Sequence, residues 1–136
     1  MLLVDTNVFL AASDRRSARH GDCAALLRAH RHELATSVPV IAESSWLILD
    51  RLGDRSHAEF LRNVTSGRLE AVELTTLDWQ RCRELVERYA DMHLDLMDAS
   101  LIAVAERLGL KTAATLDRRD FTVVRPRHTD AFELIP

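Results

Sequence analysis

Six residues, Leu2-Leu3-Val4-Asp5-Thr6-Asn7, constrain the fold more than any other stretch of the chain. Three apolar residues run straight into an acidic-polar triplet, and a second apolar run, Val8-Phe9-Leu10-Ala11-Ala12, follows at once. A short unbroken apolar run is the pattern of a strand buried on both faces of a parallel sheet, here feeding a helix or a tight loop. Asp5 then stands at the strand's carboxyl end, where open α/β sheets place their ligand sites. An Asp there also serves as a turn former or helix N-cap, so alone it decides nothing. Three further acids in comparably apolar settings, Glu43, Asp98 and Asp117, give it weight.

The rest of the chain reads as strand–helix units. A polar, cationic loop from Ser13 to Gly21 leads to a helix over Asp22–His32 and a short strand over Glu33–Ser37. Ser37 caps a helix over Val38–Leu52 that tolerates Pro39 in its first turn and ends at Gly53. That helix is apolar almost all round, and Glu43 falls on a stripe with Val40, Trp46 and Leu47. A shorter helix opens at Asp54 and ends near Ser66. The alternating stretch Leu69–Leu74 predicts a half-exposed strand, at an edge. Thr76 caps an amphipathic helix carrying Trp79, Cys82, Leu85, Val86 and Tyr89. His93–Leu96 is a connection.

Met97–Leu108 is the next helix, with Asp98 in register with Leu101, Ile102 and Ala105 and at the helix N-terminus, where its charge is favoured. Lys111–Leu116 predicts a strand running into Asp117-Arg118-Arg119-Asp120. Thr122–Val124 predicts a last short strand, with the tail from Pro126 loosely attached. Repeated strand–helix units imply an α/β fold with a mostly parallel sheet between helical layers.

At 136 residues the chain fits one domain, residues 1–136, with a substantial core. No apolar run approaches the ~20 residues of a membrane span, and no secretion signal precedes the first strand, so the cytoplasm is the expected compartment and no membrane partner is expected. Cys23 and Cys82 read as small buried hydrophobes in a reducing compartment, with a disulfide as the alternative. The net charge of −3 argues at face value against nucleic acid. If four of the 21 acids serve one metal site, however, the remaining 17 face 18 Lys and Arg, all Arg but Lys111. Arg suits bidentate phosphate contact.

Asp5 and Asp117 end strands, while Glu43 and Asp98 lie near helix N-termini, so all four converge at one edge of the sheet. Two like charges ~4 Å apart repel by ~4 kcal/mol at an effective dielectric near 20, so four must take up protons or hold a cation. Oxygen-only ligands suit Mg²⁺ or Mn²⁺, and the chemistry that follows is metal-assisted phosphodiester hydrolysis. The bland reading makes Asp5 and Asp117 turn residues and Glu43 and Asp98 salt-bridged core acids. Asp120 assists the site or pairs with Arg118 or Arg119. The six His show no zinc spacing, and there is neither a glycine-rich phosphate loop nor a Gly-x-Ser-x-Gly elbow. His20 reads as a surface residue or one at the site mouth.

Val4-Asp5-Thr6-Asn7-Val8, Glu43 within Val40-Ile41-Ala42-Glu43, Asp98-Ala99-Ser100-Leu101-Ile102-Ala103 and Thr115-Leu116-Asp117-Arg118-Arg119-Asp120-Phe121 together resemble the PIN-domain proteins, and more narrowly the VapC-type ribonuclease toxins of bacterial toxin–antitoxin pairs. The resemblance covers essentially the whole chain. It implies a three-layer α/β/α fold, Mg²⁺- or Mn²⁺-dependent endoribonuclease activity, a homodimer, and inhibition by a small cognate antitoxin that inserts a segment at the active site. Asp5, Glu43, Asp98 and Asp117 take the metal-binding and catalytic roles. Thr6 orients Asp5 through its hydroxyl, Asn7 supports it, and Thr115 and Asp120 are auxiliary; whether Asp117 or Asp120 dominates stays open.

Arg15, Arg16 and Arg19 in the first loop, with Arg118 and Arg119 beside the fourth acid, are candidates to grip RNA phosphates. They serve equally as solvated residues or as contacts for an acidic antitoxin segment. Transfer, ribosomal and messenger RNA are all possible substrates. Two competing readings remain: a housekeeping nuclease of the same fold acting on RNA or single-stranded or flapped DNA, and a signalling receiver domain. The receiver reading wants paired acids after the first strand and a late Lys near the acyl-phosphate, whereas Asp5 stands without an acidic neighbour and the only Lys, Lys111, starts a strand.

Overall fold

The computed structural model describes residues 1–136. Five strands, β1 (Leu2–Val4), β2 (Leu34–Ser37), β3 (Leu69–Val72), β4 (Thr112–Ala114) and β5 (Glu133–Ile135), form an all-parallel sheet in the order β3-β2-β1-β4-β5. Between β1 and β2 lie α1 (Thr6–Ser13) and α2 (His20–Ala29); between β2 and β3, α3 (Val38–Leu52) and α4 (Asp54–Thr65). A longer excursion from β3 to β4 carries α5 (Thr76–Arg88), a 3₁₀ turn (Ala90–Met92) and α6 (Leu96–Leu108). The last helix, α7 (Arg118–Val123), joins β4 to β5.

Parallel neighbours need crossovers, and these are right-handed. The steps β1 to β2 to β3 run towards one edge and carry α1–α4 over one face. The chain then returns past β1 to β4 and β5, which puts α5–α7 over the other. This is the expected α/β/α architecture. The reversal leaves β1 and β4 paired, Leu3 opposite Ala113 and Val4 opposite Ala114, with their connections leaving in opposite directions. A crevice opens at the carboxyl ends of strands at such a switch point.

Twenty-five buried apolar residues form the core cluster, with β1 buried throughout. Every residue of α6 from Asp98 to Ala105 is buried, because α6 lies against α3, α5 and β2 at once. Cys23 and Cys82 are free and buried, and burial raises both thiols, Cys82 to about 11, which keeps them unreactive. No helix is long and apolar enough to cross a membrane.

Four expectations change. First, Thr122 and Val123 end α7, and no strand forms there. Asp117 caps that helix by accepting the Arg119 amide at 3.3 Å, and Phe121 turns into the core. Strand propensity needs a free neighbouring strand, and the outer edge of β4 is already taken. Second, it is taken by the tail: β5 pairs Thr112–Ala114 with Glu133–Ile135, and Phe132 packs edge-on against Phe121 at 5.8 Å. Third, Trp46 and Trp79 face outward, 64% and 51% exposed. Fourth, the cap of α5 is Thr75, one residue early, in a reciprocal box with Asp78.

Phe121 thus anchors both α7 and the tail. Phe121→Ala is expected to cost about 3–5 kcal/mol in urea unfolding, whereas Trp79→Ser stays within about 0.5 kcal/mol. Equal losses for the two would contradict this packing.

Candidate active site

Asp5 follows β1 and caps α1, 6% exposed, with both carboxylate oxygens held. Oδ1 accepts the Thr6 amide at 2.7 Å, and Oδ2 accepts the Thr115 hydroxyl at 2.8 Å. The Asp5 amide in turn donates to Ala114 O at 2.9 Å. Thr115 is fully buried and is the residue that orients Asp5 through a hydroxyl. The Thr6 hydroxyl, expected in that role, donates instead to Glu43 Oε2 at 2.8 Å and so steadies the second acid. Asn7 Oδ1 accepts the Leu116 amide at 3.0 Å, tying the first turn of α1 to the β4–α7 loop.

Glu43 reaches the same edge because α3 is pinned at its start. The Ser37 hydroxyl caps α3 through the Val40 amide at 3.4 Å and lies 2.6 Å from the Ser100 hydroxyl on α6. Asp98, 9% exposed, sits in the first turn of α6, where its amide donates to Asp95 Oδ1 at 2.9 Å. Asp120, in the first turn of α7, completes the group and also takes the Arg119 guanidinium at 3.3 Å. Three helix N-termini therefore point at one crevice, and each favours negative charge.

The electrostatics show which acids face each other. Burial pushes the Asp5 carboxyl up to about 6, against the hydrogen bonds from Thr115 and Thr6, and the charges of Asp95 and Glu43 push the same way. Asp98 is driven well above the usual carboxylate range, first by burial, then by the Asp120 carboxyl within hydrogen-bonding reach, then by the charges on Asp5 and Asp95. Asp117 acts on neither. It is exposed, its side chain serves as the α7 cap, and its amide donates to Thr115 Oγ1 at 3.1 Å. Asp120 rather than Asp117 is the acid set against Asp98. Asp95, read from the sequence as part of a connection, belongs to the group as well. An Asp three residues before Asp98 at the head of an apolar helix is an N-cap signature that would have found it.

Such a cluster either keeps protons or holds a cation. Its donors are all carboxylate oxygens, which suits a hard divalent ion that keeps several waters and takes one or two carboxylates from the protein. No three acids form a ready-made cage.

The arginines lie elsewhere. Arg15, Arg16 and Arg19 follow α1 at the end away from Asp5, about 12 Å along an eight-residue helix. Arg16 pairs with Asp14 at 3.5 Å and Arg19 with Asp22 at 3.2 Å. Arg118 donates to the carbonyls of Leu134 and Pro136, and Arg119 to Asp120 and Met92 O. A groove of about 690 Å³ among α1, α2 and α4 has Phe9, Leu27 and Phe60 in its floor and Arg15, Arg28, Arg31 and Arg68 around it, with Glu59 the one acid. It adjoins Leu34 and Leu69 at the amino ends of β2 and β3, away from the acidic crevice. His20 lines this groove, not the crevice, with Nδ1 3.1 Å from Ala11 O.

Residues 2–125 match the PIN domain family model. The chain is 27% identical over 135 residues to a Mycobacterium tuberculosis protein described as ribonuclease VapC26, covering 99% of this chain and 100% of that one. It is 27% identical over 131 residues to VapC20 of the same organism, described as a 23S rRNA-specific endonuclease, covering 93% and 99%. The crystal structure of VapC20, a sarcin-ricin loop cleaving toxin, superposes with a TM-score of 0.76 at 24% identity over 83% of this chain and 87% of that one. A toxin–antitoxin complex from Klebsiella pneumoniae superposes at 0.66, 20% identity, over 98% and 100%.

Both Asp5 and Asp98 bind protons more tightly folded than unfolded. The folded state then carries the excess protons, so stability falls as pH rises from the ordinary 3.8 through about 6 for Asp5 and further for Asp98. In EDTA, Asp98→Asn is expected to raise the Tm by several degrees at pH 8, with the gain closing below about pH 4. Calorimetry at a series of pH values reads this directly, and a gap that ignores pH would show that Asp98 carries no such strain.

Proposed function

The chain belongs to the PIN domain family, and on that premise we propose that it is a metal-dependent endoribonuclease, the toxin of a toxin–antitoxin pair. The observation that carries this reading is the crevice at the β1–β4 switch point. Around it stand Asp5, Glu43, Asp98 and Asp120 from separate elements, with burial and neighbouring acids opposing ionisation of Asp5 and Asp98. The ribonuclease descriptions of the relatives support RNA as substrate, and ribosomal RNA comes first among the RNAs to test.

Mg²⁺ or Mn²⁺ held by Asp5 and Asp98 would neutralise charge at the scissile phosphate and make a water more acidic. The chain's own contribution is positioning. Thr115 fixes Asp5 Oδ2, and the Thr6 hydroxyl fixes Glu43 at the flank. Asp120 lies within hydrogen-bonding reach of the Asp98 carboxyl, which together with Asp5 would hold the ion. Asp117 holds the α7 turn on which Asp120 rides. The N-termini of α1, α6 and α7 favour the incoming phosphate as they favour the acids. Arg118 and Arg119, already bound to the tail and to Asp120, brace this wall of the site more than they offer free phosphate contacts.

The groove among α1, α2 and α4 is the seat we assign to the antitoxin. An apolar floor with four arginines and a single acid asks for a segment that carries aromatic or aliphatic side chains among carboxylates. The exposed stripe of Ala42, Trp46 and Leu49 on α3 is the face we assign to a second copy in a homodimer.

Two outcomes test this. Purified protein with Mg²⁺ or Mn²⁺ should cut total cellular RNA at discrete positions, EDTA should abolish the cuts, and Asp98→Asn should lower the rate at least about a hundredfold. Equal cutting by the variant, or cutting of single-stranded DNA alone, would overturn the reading. Arg28→Glu with Arg68→Glu should raise the concentration of co-expressed antitoxin needed to silence RNA cleavage; an unchanged titration would remove the groove from the interface.

A further inference from the structure

Asp95 is a fifth carboxylate of the acidic crevice, beside Asp5, Glu43, Asp98 and Asp120. It caps α6 with extended backbone, φ −90° and ψ 171°, and Oδ1 accepts the Asp98 amide at 2.9 Å. Asn or Ser does the same work at an N-cap. The charge of Asp95 is therefore not needed for the cap, and it has a cost: it opposes ionisation of both Asp5 and Asp98.

No cation of the chain offsets that charge. Asp95 forms no ion pair, and the nearby Arg119 is committed to Asp120 and Met92 O. The second carboxylate oxygen has no hydrogen-bond donor, and the residue is exposed. A carboxylate oxygen left open to solvent, on the residue whose other oxygen holds the Asp98 amide at 2.9 Å, is suited to meet a hydrated cation from outside.

We propose that Asp95 is a positioning residue of the divalent-cation site: Oδ1 holds Asp98 in register at the head of α6, and the free oxygen engages the waters of the ion. This rests on the reading of the crevice as a metal centre. It separates two tasks of one side chain, so an isosteric change can remove one and keep the other. Asp95→Asn keeps an oxygen for the Asp98 amide and loses only the charge; Asp95→Ala loses both.

Mn²⁺ titrations of the full chain, read by electron paramagnetic resonance of the free ion, test the assignment, with Tm in EDTA measured beside them. For Asp95→Asn, the Mn²⁺ dissociation constant should rise about tenfold, the scale of one unit charge acting on a divalent ion through water. Its Tm in EDTA should equal or exceed that of the wild type, and the Mg²⁺ concentration giving half-maximal RNA cleavage should shift upward in parallel. Asp95→Ala should show the same loss of Mn²⁺ affinity with a lower Tm. Wild-type Mn²⁺ affinity in Asp95→Asn would overturn the proposal and leave Asp95 as a cap alone. If the wild type itself bound no Mn²⁺, the metal-centre reading would fall, and this assignment with it.

Discussion

One hydrogen bond, from the Thr115 hydroxyl to Asp5 Oδ2, joins residues 110 apart in the chain and closes the site. It depends on everything beneath it. The Asp5 amide must reach Ala114 O, which requires β1 and β4 to be neighbours. The Thr115 amide must be occupied, and Ile135 O on β5 accepts it at 2.9 Å. Strand order, the late arrival of β5 and the direction of one carboxylate are therefore a single constraint. A hydroxyl buried at this depth is costly without a partner, so Thr115 and Asp5 specify each other.

The same crevice shows what the fold spends on its site. Carboxylates are seldom buried without compensation, yet Asp5 and Asp98 are both nearly inaccessible and repelled by neighbours. Part of the compensation is built in: amides at the heads of α1 and α6 donate to Asp5 and Asp95, and helix dipoles favour the anions. The remainder is missing from the chain. Elsewhere the acids are matched, as where Arg81 bridges Glu106 and Glu84 and Arg107 holds Asp78. The contrast is between acids paired by arginines and acids left without such partners. Sites that trade stability in this way are where activity and stability compete.

Much of this was legible in the residue pattern. An apolar run ending in Asp located β1 and the switch-point acid, and the stripes around Glu43 and Asp98 located two helices whose heads face the same edge. The alternation of Leu69–Leu74 marks the edge strand β3. What failed did so for one reason. Local patterns report what a segment prefers, and Thr122–Val124, the tail and the two tryptophans were settled by which surfaces were already occupied. The tail took the edge that a β-branched run would have needed. Trp46 and Trp79 lie on the outer sides of helices whose inner sides were filled by Val40, Ile48, Cys82 and Leu85. Hydroxyl assignments were equally out of reach: whether Thr6 or Thr115 serves Asp5 is a matter of angles between elements, not of spacing.

By itself the sequence determined the class of fold, the parallel sheet and the acidic character of one edge, because period, length and strand-end chemistry are properties of short segments. Only the tertiary structure decided which acids face one another. Asp117 and Asp120 are three residues apart on one turn of helix, and the chain carries both. The docking of α7 on the sheet made one a cap and the other a neighbour of Asp98. Asp95 entered the group by the same route, since the charge of a capping residue acts on whatever the fold brings opposite it. Coulomb energies depend on distances through space, and those distances exist only once β4 lies beside β1.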